Sequence, residues 1–116
     1  MAFDLTGAEA KSPRPPSVWS AGEAAGHIGE RGTVCGIVAS ARHVDSPTGG
    51  PTFLNLDRPH PNQTFTVFIQ AGDRERFDRP EVRYARKRIC ITGTIATHDG
   101  KPEIVVHDPS QIALAE

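Results

Sequence analysis

Apolar residues in this chain come only in short runs, and glycine or proline punctuates nearly every one of them. The 116 residues include 11 glycines and 10 prolines. That pattern favours short strands joined by tight turns and leaves no room for long helices. With seven aromatic side chains in all, the core must rest mainly on Ile, Val and Leu. A chain of this length makes one domain with a modest core.

The segment Met1 to Ser17 reads as a flexible tail. Its Lys11-Ser-Pro-Arg-Pro-Pro16 stretch favours an extended, solvated backbone. Residues 18–116 then form the folded domain, with Trp19 expected to dock on it. Ser20 and Glu23 fit a capping box that opens a short helix over Ala21 to His27.

Five strands follow from the pattern. The first spans about Thr33 to His43, with apolar residues of both parities and an expected bend at Gly36. The second spans Pro51 to Asp57, with Leu54 and Leu56 facing one way. In the third, Thr64 to Ala71, Phe65, Val67 and Ile69 alternate with Thr66, Phe68 and Gln70. Asp73 is expected to cap a short helix through Phe77. A further turn over Pro80 to Tyr84 would place Phe77, Val82 and Tyr84 inward. The fourth strand covers Lys87 to Thr97. His98-Asp-Gly-Lys101 is a strong hairpin signal. The fifth strand follows with Ile104 and Val106 inward, and Ile112 and Leu114 close the barrel.

Three strands, a helical connection and a two-strand hairpin is the order of the all-β, five-stranded Greek-key OB-fold barrel. Barrel closure also removes the edges a flat sheet would expose.

Three sets of residues carry a resemblance. They are Gly50-Pro-Thr-Phe-Leu-Asn-Leu56, Pro61-Asn-Gln-Thr-Phe-Thr-Val67, and Ile91-Thr-Gly-Thr-Ile95 with Gly100-Lys-Pro-Glu-Ile104 and Asp108-Pro-Ser-Gln-Ile112. Together they resemble small bacterial OB-fold domains of the anticodon-binding type, over about Gly32 to Ile112. Such domains occur alone or attached to nucleases and other DNA-handling proteins. The resemblance implies fold more than ligand, because OB-folds bind single strands, oligosaccharides and proteins. Related domains often carry a tryptophan near the end of the third strand, where this chain has Gln70.

The formal net charge is -1, so no global field draws nucleic acid to the chain. Local patches must supply the attraction. The outward face of the first three strands would carry Phe53, Asn55, Thr66, Phe68 and Gln70, with Arg42 and His43 at one end. Phe68 could stack on a base, Arg42, Arg58 and Arg74 could meet phosphates, and Asn55 could read a base edge. The competing reading covers Phe53 and Phe68 with the segment around Trp19. From Asp73 to Arg88 seven basic residues stand against four acidic ones, a net +3, and that run reads best as a solvated, ion-paired surface.

Cys35 and Cys90 lie amid apolar residues on expected neighbouring strands. They read as reduced, buried thiols, with a disulfide left open. The five histidines lack metal-ligand spacing, and no catalytic signature is present. No catalytic residue, metal or cofactor is expected. No stretch reads as a signal peptide or membrane span, so a cytoplasmic location is expected. The sequence therefore points to a binding module for single-stranded DNA or RNA with low sequence specificity. The alternative is a protein-interaction module or non-catalytic subunit that meets a protein partner through Trp19.

Overall fold

The computed structural model describes residues 17–47 and 49–115. The tail expected over Met1 to Ser17 therefore lies outside the described residues, apart from Ser17. Among the described residues there are eight strands: β1 (Val18–Ser20), β2 (Arg31–His43), β3 (Thr52–Leu56), β4 (Phe65–Ile69), β5 (Arg88–Thr94), β6 (Ala96–His98), β7 (Lys101–Val106) and β8 (Ile112–Leu114). The ladder runs β6-β7-β4-β3-β2-β5-β8, with β1 parallel to β2.

Strict alternation makes β3 and β4. Leu54, Leu56, Phe65, Val67 and Ile69 are fully buried on one face. Ile89, Ile91, Ile104 and Val106 complete the core from the other strands. Burying one such side chain is worth about 1.5–3 kcal/mol, so this face holds the fold together. β4 and β7 pair in parallel, Thr66 to Ile69 against Glu103 to Val106. A parallel pair needs a long crossover, and residues 71–100 provide it. At its end the Asp-Gly turn takes positive φ at both Asp99 (53°) and Gly100 (78°), as a tight hairpin requires.

Five strands closing into a barrel were expected; among the described residues the sheet has eight strands and its ladder does not close. The segment read as the fourth strand is split into β5 and β6, because Ile95 instead binds the loop before β2. Its N–H donates to the Glu30 carbonyl at 2.9 Å, and its carbonyl accepts from Gly29 at 2.7 Å. The two halves of the sheet still meet by packing. At Gly93 of β5 a Cβ would lie 2.7 Å from Ile104 Cγ2 of β7, so only glycine fits without a shift.

The 13-residue strand β2 serves both halves. Arg31–Ile37 pairs with β5, and Val38–His43 pairs with β3. Its irregularity falls between Val38 and Ser40, just beyond the bend expected at Gly36. Gly36 instead allows close packing, since a Cβ there would sit 3.0 Å from Asp57 Oδ1 and 3.3 Å from Ala21 Cβ.

The capping box closes as the sequence predicts. Ser20 N–H donates to Glu23 Oε1 at 2.9 Å, and Glu23 N–H donates to Ser20 Oγ at 3.3 Å. The segment Ala21–His27 is a 3-10 helix that buries Ala21 and Ala24. Trp19 stacks on His27, with ring centroids 4.0 Å apart.

The connection holds a 3-10 helix, Ala71–Phe77, and a one-turn helix α1, Pro80–Arg83. Phe77 and Tyr84 are buried, but Val82 is 55% exposed and is not an inward residue. Asp73 caps nothing, because it receives His107 Nδ1 at 2.7 Å and Arg76 at 3.1 Å. Ile112 is buried, whereas Leu114, expected to close the barrel, is half exposed at the sheet edge.

Cys35 and Cys90 are directly paired across β2 and β5 and form a disulfide. The reading of reduced thiols is corrected: cross-strand pairing brings two residues 55 apart in sequence within bonding reach. A bond closing so long a loop restricts the unfolded chain. Replacing both cysteines by alanine is expected to cost about 2–4 kcal/mol in urea unfolding. Thiol titration of the denatured, unreduced protein should find no free thiol, and two after reduction.

Candidate binding groove

Cross-strand register sets the outward face of β2, β3, β4 and β7. One row reads Arg42, Phe53, Phe68, Val105, and the next reads Ser40, Asn55, Thr66, Glu103. Paired residues share a face, so these eight side chains stand together. The loop after β3 borders the face on one side and the β6–β7 turn on the other. Between them lies a groove of about 500 Å³.

Ser40, Asn55, Gln63 and Thr66 line its floor, and Phe53 lines its wall. Ala41, Arg42, Pro59, His60, His98, Asp99 and Lys101 form the rest of the lining. Asn55 is 3% exposed and Gln63 is 6% exposed. Asn55 Nδ2 donates to Ser40 Oγ at 3.0 Å, and that oxygen also accepts the His60 N–H at 3.2 Å. Gln63 Nε2 donates to Thr66 Oγ1 at 3.0 Å, and its backbone carbonyl accepts from Lys101 Nζ at 3.3 Å. The two amide oxygens, Asn55 Oδ1 and Gln63 Oε1, are buried and lack a partner among the described residues. A buried acceptor left unpaired costs about 1–3 kcal/mol.

Of the residues singled out in the sequence, Arg42 and Asn55 line the groove. Phe68 stands behind Phe53, with ring centroids 5.3 Å apart. Arg58 is exposed at the start of the loop whose Pro59 and His60 reach the groove. Gln70 is exposed at the N-cap position of the Ala71–Phe77 helix, where its side chain makes no capping hydrogen bond. Arg74 is half-buried in an ion pair with Glu81 and is not among the lining residues. Its guanidinium is already engaged, so it is poorly placed to meet a phosphate. His43 pairs with Thr52 and takes the face opposite Arg42. Sequence reasoning missed Ser40, Gln63 and Lys101. Gln63 sits in a loop without periodicity, and only the pairing of distant strands brings Lys101 beside it. Trp19 packs at the other half of β2, against His27 and close over Gly32.

Glu103 is 7% exposed at the end of the second row. Burial pushes its carboxyl above the ordinary value of 4.5, with His98 lowering it and Asp99 raising it to lesser degrees. A raised value means the folded chain holds this proton more readily than the unfolded chain. The resulting stability is fully present below pH 4.5 and is lost as pH rises through the folded value. Glu103→Gln is therefore expected to resist urea better than the wild type at pH 7. That advantage should vanish as pH falls below about 4.5; equal stability at pH 7 would contradict the assignment.

No protein-family model matches the chain, and no curated protein matches it. Solved structures do. One is described as an aspartyl-tRNA synthetase from Leishmania major Friedlin, at 12% identity and a TM-score of 0.62 over 92% of this chain. This chain spans only 22% of that protein's length. Another is the OBody AM1L10 bound to hen egg-white lysozyme, at 18% identity and a TM-score of 0.57. It matches 93% of this chain and 98% of its own. The OBody AM2EP06, also bound to lysozyme, is similar at 17% identity and a TM-score of 0.56. At these identities the likeness is one of fold: a β-rich, OB-like architecture. No helix among the described residues is long and apolar enough to cross a membrane.

Proposed function

We propose that the chain is an OB-type module that binds single-stranded nucleic acid weakly, with little overall sequence preference, and acts by binding alone. The observation that carries this reading is the composition of the groove. An aromatic wall, Phe53, stands beside a polar floor, with Arg42 and Lys101 in the lining. A single-strand site needs a π-face for a base and cations for the backbone, and the groove supplies both. The cations are few and Asp99 opposes them, so attraction is local and modest. The OB-like architecture supports the reading, because OB-folds present such a face to single strands. Phe53 takes over the stacking role that sequence alone gave to Phe68.

One observation favours a second reading. The similar OBodies are bound to a protein, lysozyme. Here the half of the sheet away from the groove exposes Ile37 and Val18 at 49% and 50%. A protein partner could cover that face.

Fluorescence anisotropy of labelled single-stranded DNA and its RNA counterpart separates the two. Binding is expected at low salt and should weaken as salt rises, because phosphate contacts release counterions. Phe53→Ala should lose about 1–3 kcal/mol of binding. Absence of binding at low salt would overturn the nucleic-acid reading and leave the protein partner.

A further inference from the structure

We infer that a bound single strand longer than the groove runs on past Arg58 to Arg86, Lys87 and Arg88, which hold its phosphates. The inference rests on the nucleic-acid reading above and gives the strand its path out of the groove. Its basis is a set of cations that the fold leaves without counter-charges. By sequence the run from Asp73 to Arg88 reads as an ion-paired surface. In the structure Arg74 pairs with Glu81 and Arg76 with Asp73. Arg86, Lys87 and Arg88 are exposed and have no acidic partner among the described residues.

Backbone bonds fix where these three residues stand. The Lys87 N–H donates to the Tyr84 carbonyl at 3.1 Å, and the Arg86 N–H to the Val38 carbonyl at 3.0 Å. The Val38 N–H donates in return to the Lys87 carbonyl at 2.9 Å. Arg88 lies directly opposite Ile37, which is exposed, so the two share the outward face of the sheet. From the other side of β2, the Asp57 N–H donates to the Ile37 carbonyl at 2.8 Å. That bond brings exposed Arg58 to the same point of β2, and the loop runs on to Pro59 and His60 of the groove. Asp57 stands at this junction too, with its carboxylate engaged by the Thr64 hydroxyl at 3.0 Å.

Continuity selects the partner. Ile37 and groove-lining Ser40 flank the irregularity of β2 on its unburied face, at most about 10 Å apart along the chain. A phosphate backbone that leaves the groove beside Ser40 therefore meets these cations at once. Three consecutive cations repel one another, and an anion set among them relieves that repulsion. An apolar protein surface would instead have to desolvate them. A nucleic-acid strand neutralises them and releases the counterions condensed on it.

The test is anisotropy titration of the whole chain over a range of salt, with labelled single-stranded oligonucleotides of about four and about twelve residues, which span OB site sizes. The shorter oligomer fills the groove alone. The longer one is expected to bind tighter and to lose affinity more steeply with salt, by about 2 in the log–log slope for three added phosphate contacts. Lys87→Gln/Arg88→Gln, with an unchanged melting temperature, should reduce the slope of the longer oligomer by about 1.4 and leave the shorter one as it was. Equal slopes for the two lengths in the wild type overturn the path, whether or not the variant folds. A variant slope equal to that of the wild type overturns it as well. Polyglutamate that displaces the longer oligomer as strongly as unlabelled oligomer does would reassign the patch to an acidic protein partner. Binding of neither oligomer at low salt overturns the nucleic-acid reading itself.

Discussion

Strand β2 must satisfy the backbone groups of 13 residues while belonging to two differently oriented halves of the sheet. It does so by changing partners midway. Arg31–Ile37 hydrogen-bonds to β5, Val38–His43 to β3, and an irregularity between Val38 and Ser40 absorbs the turn. Every other feature follows from that strand. Gly36 lets the core approach it closely, and β1 covers part of its first half. The disulfide ties that half to β5. Its second half delivers Ser40 and Arg42 to the groove. One end of the strand is thus fixed covalently and by packing, while the other presents polar groups to the groove.

That division has a chemical consequence. The first half exposes apolar residues such as Ile37 and has its cysteines joined. A disulfide persists most readily in an oxidising compartment. The second half instead combines one aromatic ring, a few cations and buried amides.

Much of the fold was legible because local patterns carry it. The alternation in β3 and β4, the Ser20–Glu23 cap and the Asp99-Gly100 turn are each specified by neighbouring residues. The sequence concealed what depends on distant pairing. Strand order placed Cys35 and Cys90 on neighbouring strands but left their bond open, and nothing near Arg74 announces that Glu81 will hold it. Val82 looks apolar and inward, yet the single turn of α1 buries Pro80 and leaves Val82 exposed. Strands β1, β6 and β8 span three residues each, too short for periodicity to reveal. The groove was half legible. Asn55 and Arg42 follow from strand alternation, whereas Gln63 enters from a loop whose path only the folded chain defines.

The central claim is that the polar end of β2, with β3 and the loop after it, is where a single strand binds. The most direct measurement is a two-dimensional amide NMR titration of the labelled protein with a short single-stranded oligonucleotide of mixed sequence. The account predicts shifts concentrated in residues 40–42, 53–55 and 60–66, including the side-chain amides of Asn55 and Gln63. Shifts clustered instead on β1, β5 and β8, around Ile37 and Leu114, would contradict it, as would an unchanged spectrum.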